Sequence, residues 1–261
     1  PIFAGYPADQ VKGLLDYANP TVVIVAGREQ LAGVRLCGAT RALVTFEPVD
    51  PATVEPLLRG TRVSHASFAD ALTRFAADDA RVTAFLGAAA GVDPGEPCLL
   101  NFTSGTSGAL KGVVLTHDNI LSQQRALTAI WSVTREDRFL SYLPWHHSFG
   151  GIFEKYTALY NGATLHIDDS RGKDFAVLQR NWAEVRPTIY FSVPHVYQQL
   201  VVHVRSRPED EGTIFHAGLR FVFTAAASLP GTVSAFFAAK RIPVLEGWGL
   251  TETSPCCTLT D

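Results

Sequence analysis

Residues 101–112 read NFTSGTSGALKG, with three glycines, two serines, two threonines and one lysine in twelve positions. Glycine lets the backbone take positive φ and approach a phosphate closely. Successive N–H groups in such a turn form an anion nest, and a lysine ammonium is a compact cation for phosphate oxygens. Thr103, Ser104, Thr106 and Ser107 place hydroxyl donors around Gly105 and Gly108. The chemistry is phosphate binding, but not of the Walker type, which needs G-x-x-x-x-G-K-[ST] with glycine immediately before the lysine. Here Leu110 precedes Lys111 and Gly112 follows it. A polar surface loop has the same composition. The strand-like runs on either side, CLLNFT (98–103) and VVLT (113–116), favour a site over that plain reading.

Three further blocks carry usable chemistry. LPWHHSFGG (143–151) offers His147, an imidazole able to orient a carboxylate near neutral pH. Its neighbour His146 is read as packing or pocket lining, because adjacent residues on an extended strand face opposite ways and do not chelate together. FTAAASLP (223–230) offers the small side chains of Ala225, Ala226 and Ala227, which permit a flat ring to come close. LEGWGLTETSP (245–255) offers an aromatic plane (Trp248) between Gly247 and Gly249, a hydroxyl (Thr251) and a carboxylate (Glu252) suited to a hard cation. There is no G-x-S-x-G nucleophile elbow.

The elements that must position these blocks alternate. Apolar residues at 11, 14, 15 and 18 predict a helix over 7–19. TVVIVA (21–26) and RALVTF (41–46) read as strands, the first of them buried. Residues 116–131 predict a helix capped by Thr116 or Asp118. Strands follow near 138–143, 163–167, 187–193, 219–225 and 242–247, with helices at about 150–160, 173–183, 195–205 and 231–240. That spacing implies βαβ units, an α/β fold of layered, mainly parallel sheets with flanking helices. GAAAGVDPGEP (87–97) reads as a linker between an N-terminal α/β segment (1–90) and the motif-bearing remainder (91–261).

Bulk properties remove other classes. A net charge of −3 with no basic tail argues against nucleic acid as a partner. No apolar run approaches the ~18 residues of a membrane span. The four cysteines form no C-x-x-C pair, which argues against a zinc site or disulfide framework. With no basic region followed by an apolar run at PIFAGYPADQ, a cytoplasmic location with reduced thiols is expected.

FTSGTSGALKGVVLTHDNI resembles the signature loop of the adenylate-forming enzymes: acyl-CoA ligases, luciferases and peptide-synthetase adenylation domains. Their pattern is Y-T-S-G-T-T-G-x-P-K-G-V followed by T-H-x-N. Ser107 stands for the second threonine and Leu110 for the proline. LPWHHSFGG is similar to the family's L-P-x-x-H-x-x-G block. FTAAASLP is similar to S-G-G-A-P-L-P, with alanines for the glycines. GWGLTE is similar to Y-G-x-T-E, with Trp248 in the tyrosine position.

The resemblance implies the large N-terminal domain of such an enzyme, and a reaction of a carboxylic acid with ATP and then coenzyme A. It places Lys111 and the loop residues Thr103–Gly108 on the leaving phosphates, and Trp248 with Ala225–Ala227 around adenine. It places Thr251 at the α-phosphate, Glu252 with Thr103 at Mg²⁺, and His147 near the acyl site. The blocks look most like ligases of long-chain fatty or feruloyl-type acids. The acid pocket is then expected from 146–153, 191–197 and 223–228, with Trp145, Phe153, Phe191, Val193 and Tyr197 as apolar walls. The family's ribose-binding aspartate and small C-terminal domain have no counterpart in the 261 residues, so poor adenylation by this chain alone is expected. A non-catalytic nucleotide-binding module and an NTP hydrolase are the rival readings.

Overall fold

The leading helix α1 (Ala8–Ala18) forms because Leu14 and Leu15 share one buried stripe, and it ends on Asn19 in the left-handed conformation. It belongs to the first of two compact units, Ile2–Val92 and Asp93–Asp261. The computed structural model describes residues 1–3, 5–74, 78–104 and 110–260.

The first unit continues with β1 (Val22–Val25), α2 (Arg28–Leu31), β2 (Ala42–Thr45) and α3 (Pro51–Leu58). It then runs through β3 (Ser64–Ser67), α4 (Phe68–Arg74) and α5 (Asp79–Ala90). Asp50 caps α3 by accepting from the Ala52 N–H at 2.9 Å, with Pro51 at the first helical position. The strands form a parallel sheet in the order β1-β2-β3. Its core gathers Leu15, Val23, Leu31, Val34, Leu43 and Val54. The strand expected to be buried throughout is buried on one face only, since Val22 and Ile24 are exposed. An unbroken apolar run does not reveal how many faces of its sheet are covered.

The second unit opens on an antiparallel hairpin, β4 (Pro97–Ser104) and β5 (Leu110–Thr116). Helix α6 (His117–Trp131) follows at once, and Thr116 caps it reciprocally with Asn119. Then come β6 (Arg138–Ser141), a π-helical turn (Phe149–Glu154), α7 (Lys155–Tyr160), β7 (Thr164–Ile167) and α8 (Phe175–Val185). The chain continues as β8 (Ile189–Ser192), α9 (Pro194–Ser206), α10 (Glu211–Ile214) and β9 (Phe221–Thr224). It closes with α11 (Gly231–Ala239), β10 (Val244–Trp248), a 3₁₀ turn (Thr251–Thr253) and β11 (Thr258–Leu259).

The six-stranded sheet of this unit has the order β11-β10-β9-β8-β6-β7 and is parallel except for β11. Its two faces are distinct cores, because successive side chains on a strand alternate. Leu140, Tyr190 and Val222 meet α8, α9 and α11 on one face. Phe139, Ile189, Phe191, Phe221, Phe223 and Leu245 meet Leu127 and Trp131 of α6 and the π turn on the other. Trp131 lies within 5.2–5.7 Å of four phenylalanine rings there. Burial on both faces is usual for a parallel sheet. The chain leaves β6 outward to β7 and returns to β8 on the other side, so strand order reverses between β6 and β8. Crevices for ligands form at the carboxyl ends of strands in such sheets.

Two buried acids flank β6. Asp137, just before it, accepts from Thr188 Oγ1 at 2.7 Å, from the Thr134 N–H at 2.9 Å and from Arg220 Nη1 at 2.6 Å. Glu154, on the π turn, accepts from Ser141 Oγ at 2.5 Å, and its Oε1 has no partner among the described residues. Among the described residues no helix is long and apolar enough to cross a membrane.

Candidate functional site

A cavity of about 560 Å³ lies at the carboxyl ends of the parallel strands of the second unit. The segment after β6 contributes His147, Ser148 and Phe149, and the π turn adds Phe153. The segment after β9 contributes Ala225–Ser228, and the end of β10 contributes Glu246–Gly249. Three blocks separated by up to a hundred residues in sequence therefore form one concave surface. Pro255, Cys256 and Thr258–Thr260 close it. Nothing in their sequence pattern marks these last residues, which reach the wall only because β11 turns back antiparallel on β10.

Local backbone explains why these types stand here. A Cβ on Gly247 would fall on the Phe223 ring, and one on Gly249 would fall on the Pro255 carbonyl. Trp248, between them, is exposed at the mouth of the cavity, an aromatic plane free to stack. Ala226 sits at φ 74°, the left-handed region that costs a side chain about 1–2 kcal/mol. That position is a glycine in the resembling pattern, so this chain keeps the turn at the expense of strain. Ala226→Gly is expected to raise stability by about 1 kcal/mol, allowing for the greater entropy glycine gives the unfolded chain. A urea midpoint that stays level or falls would show that the alanine is unstrained.

His147 is exposed, and its Nδ1 accepts the Phe149 N–H at 3.2 Å. That bond leaves Nε2 as the protonated nitrogen of the neutral ring. Burial lowers its pKa below the ordinary histidine value, so the neutral, Nε2–H form prevails at pH 7. His146 precedes it in a turn rather than a strand. Burial first, and the neighbouring His147 next, lower the pKa of His146 too. Cys256 is no nucleophile here: burial, and then the adjacent Cys257, push its thiol up to about 11. Its backbone N–H instead ties the segment to Gln123 on α6 at 3.0 Å.

Thr251 reaches the site through one contact. Its Oγ1 donates to Ser148 Oγ at 3.2 Å, joining blocks 103 residues apart. Glu252, beside it, is exposed and enters no ion pair among the described residues. Its 3₁₀ turn packs against β5, the strand that begins with Leu110 and Lys111. Thr103 on β4 is the cross-strand partner of the exposed Lys111. Neither Thr103 nor Lys111 lines the cavity. Gly105, Thr106, Ser107 and Gly108, and the side chain of Ser104, lie outside the described residues.

No group of three or more His, Cys, Asp or Glu that could cage a metal exists among the described residues. A lone exposed carboxylate fits Mg²⁺ in another way, since that ion commonly takes one or two carboxylates and completes its shell with phosphate and water.

The apolar walls differ from the sequence expectation. Phe153 does line the cavity, whereas Phe191 and Tyr197 are wholly buried in the two cores. Tyr197 donates its hydroxyl to the Phe223 carbonyl at 2.8 Å. Val193 packs against both cores. Trp145 is exposed outside the cavity, with the Lys155 ammonium 5.3 Å from its ring centre. Apolar type alone does not separate a pocket wall from a core.

The family model "AMP-binding enzyme" matches residues 1–261. A malonate–CoA ligase of Arabidopsis thaliana is 31% identical over 173 residues, covering 60% of this chain and 28% of that protein. A CoA ligase of Mycobacterium tuberculosis, named for a methyl-dioxo-octahydroindenyl propanoyl group, is 30% identical over 99% of this chain and 48% of its own length. The chain thus spans about half, or less, of these relatives. Among solved structures, ATP-bound MatB of Rhodopseudomonas palustris aligns with a TM-score of 0.68 at 21% identity, over 100% of this chain and 46% of that one. The Vibrio cholerae adenylation domain AlmE, in complex with glycyl-adenosine-5'-phosphate, aligns at 0.70 and 18%, over 100% and 47%. At such identities the structures speak for the fold.

Proposed function

We propose that this chain, which belongs to the AMP-binding enzyme family, supplies the nucleotide- and acid-binding part of an ATP-dependent carboxylate–CoA ligase. The observation that carries this reading is the single cavity lined jointly by His147, Ala225–Ala227 and Gly247–Gly249. Relatives named as CoA ligases of diverse acids support it.

In this reading a carboxylate oxygen attacks the α-phosphorus of ATP, pyrophosphate leaves, and the thiol of coenzyme A then displaces AMP from the acyl-adenylate. The protein's contribution to the first step is positioning and charge neutralisation. Lys111, with the hydroxyls of Thr103, Ser104, Thr106 and Ser107 and the loop at Gly105 and Gly108, holds the leaving phosphates. Trp248 stacks on adenine beside the small surface of Ala225–Ala227. Thr251 serves the α-phosphate, and the neutral His147 presents Nε2–H to the acid. Glu252, with Thr103, would hold Mg²⁺, which neutralises phosphate charge when bound. Residues 91–261 are the ATP-binding segment, 1–90 the N-terminal segment, and a small C-terminal domain completes the enzyme in the cytoplasm.

Phe149, Phe153 and Phe223 give the cavity an aromatic wall, and among the described residues no lysine or arginine lines it. A fatty or aryl-alkenoic acid suits such a wall better than a dicarboxylate.

A panel of carboxylic acids tests this in the protein that carries the chain, reading pyrophosphate and AMP with and without coenzyme A. Acid-dependent pyrophosphate with an apolar acid is the expected result. ADP in place of AMP would establish an NTP hydrolase, and no release with any acid a non-catalytic nucleotide module. Lys111→Ala and Glu252→Ala are each expected to slow pyrophosphate release about a hundredfold, the scale of losing one charge-stabilising group. Unchanged rates would remove those residues from their assigned roles.

A further inference from the structure

The aromatic wall of the cavity is built on an uncommon piece of backbone. Phe149 and Phe153 both stand on the π turn Phe149–Glu154, where the Lys155 N–H reaches the Gly150 carbonyl five residues back. A single turn of this kind carries one residue more than an α-helical turn, and such turns gather at functional sites. On a helix of 3.6 residues per turn, one residue is a rotation of about 100°. The extra residue therefore decides where Phe149 points relative to Phe153 and to α7, which continues the turn directly.

Two contacts hold the turn in that form. Near its start, a Cβ on Gly151 would fall on the Trp145 carbonyl, so the turn lies hard against the segment that leaves β6. At its end, Glu154 accepts from Ser141 Oγ at 2.5 Å, and Ser141 is the last residue of β6. Glu154 is the only polar side chain of the turn. Glu154 and Ser141 are 0% and 1% exposed, and neither lines the cavity. A polar group so deeply buried is costly unless its bonding capacity is met, and Glu154 Oε1 has no partner among the described residues. An apolar pair of similar shape would fill the same space at less cost. Stability does not account for this acid; what its hydrogen bond positions does.

We infer that Glu154, through Ser141, positions the Phe149–Phe153 wall and so sets which acid the cavity takes. Glu154 is a positioning residue, since it touches neither acid nor nucleotide. The ligand class is an apolar carboxylic acid whose chain or ring lies against Phe149 and Phe153. The inference rests on the reading of the cavity as the acid and nucleotide site, and it concerns the acid side alone. The adenine surface in that reading, Trp248 with Ala225–Ala227, is carried by β10 and by the segment after β9.

Calorimetry on the chain with hexanoate, decanoate and cinnamate, and with AMP as the nucleotide control, tests it. Glu154→Leu fills the space without an acceptor, and Ser141→Ala removes the donor. Each is expected to change the affinity of decanoate or of cinnamate relative to hexanoate by about fourfold or more, the scale of one buried methylene gained or lost at the wall. AMP affinity should stay within about twofold of wild type, as for a site that does not share the bond. The double variant should shift the ratios no further than either single variant, because both remove the same bond. Glu154→Gln keeps the acceptor and should keep the wild-type ratios.

Ratios that stay at wild type in both single variants would overturn the inference. So would equal losses for all three acids and AMP, which is the outcome of a merely structural role, or a Glu154→Gln variant that behaves like Glu154→Leu. Wild-type chain that binds AMP and none of the acids would overturn the inference and leave the nucleotide reading standing. Chain that binds none of the four probes would overturn the reading of the cavity together with the inference.

Discussion

Asp137→Ala is expected to destabilise the Asp93–Asp261 unit by about 3–5 kcal/mol, the cost of removing one partner from a buried ion pair. Asp137 is 3% exposed and holds three donors that come from separate parts of the chain. Thr188 leads into β8, Arg220 leads into β9, and Thr134 closes the turn after α6. The carboxylate thus pins the amino-terminal ends of three neighbouring parallel strands. Arg220 also donates to the Trp131 carbonyl at 2.6 Å, which extends the pin to α6 and the aromatic core around Trp131.

Alanine would leave the Thr188 hydroxyl and the Thr134 N–H short of a partner, each a costly loss in a buried place. The Arg220 side chain is 37% exposed and keeps access to water, which moves the expectation toward the lower end of the range. In a unit of this size that corresponds to a fall in melting temperature of about 10 °C. Asp137→Asn should cost less, because the amide oxygen still accepts. A melting temperature within about 2 °C of wild type for Asp137→Ala would refute the strand-pinning role.

Glu154→Gln is expected to act in the opposite direction, and only at the upper end of the pH range. Glu154 is wholly buried, accepts one hydrogen bond from Ser141 and has an unpartnered Oε1. Burial pushes its carboxyl up to about 8, against the lowering effect of the Ser141 hydrogen bond. Tyr142, Tyr190 and Tyr197 bear on it electrostatically, and burial raises all three phenols above their ordinary value, so they stay neutral over this range.

The folded protein therefore holds a proton on Glu154 that the unfolded chain releases above about pH 4.5. Folding stability falls as pH rises through that window, by up to about 1.4 kcal/mol per unit. The fall ends above about pH 8, where the folded carboxyl ionises as well. The loss accumulated from pH 5 to 8 is on the order of 4 kcal/mol. Glutamine keeps an acceptor for Ser141 without the titration. Urea unfolding at pH 5 should find the two proteins similar, and at pH 8 the variant should be the more stable. Parallel pH profiles for the two proteins would show that Glu154 is ionised in the fold.

The two acids lie at opposite ends of β6 and show what separates a structural charge from a buried neutral group. Asp137 has an arginine and two further donors; Glu154 has one hydroxyl. In sequence neither acid announces its surroundings: Asp137 follows Glu136 in a polar run, and Glu154 stands between Phe153 and Lys155. Donor count decides their behaviour, and two of the three donors to Asp137 come from residues 51 and 83 positions away.

What the sequence determined by itself is what local spacing encodes. Apolar periodicity placed α1, α6, α8, α9 and α11 within a few residues. The candidate caps Thr116 and Asp118 marked the start of α6, and Thr116 is the one that caps it. Alternation of strands and helices gave the parallel α/β architecture, and the four blocks around Lys111, His147, Ala226 and Glu252 carried the family. Each of these signals lies within a stretch of some twenty residues, where chain geometry fixes neighbours whatever the rest of the protein does.

The tertiary structure decided everything that depends on which face a strand buries and which segments meet. It sent Phe191 and Tyr197 into the cores and left Phe153 on the cavity wall. It bent β4 and β5 into an antiparallel hairpin within an otherwise mainly parallel fold, and left Val22 and Ile24 exposed on β1. It put Ala226 in a conformation that favours glycine, and it joined Ser148 to Thr251 across 103 residues. A hydroxyl, a carboxyl or a phenyl ring has the same type wherever it stands. Its charge, strain and partners are set by contacts between segments distant in sequence, which local spacing does not encode.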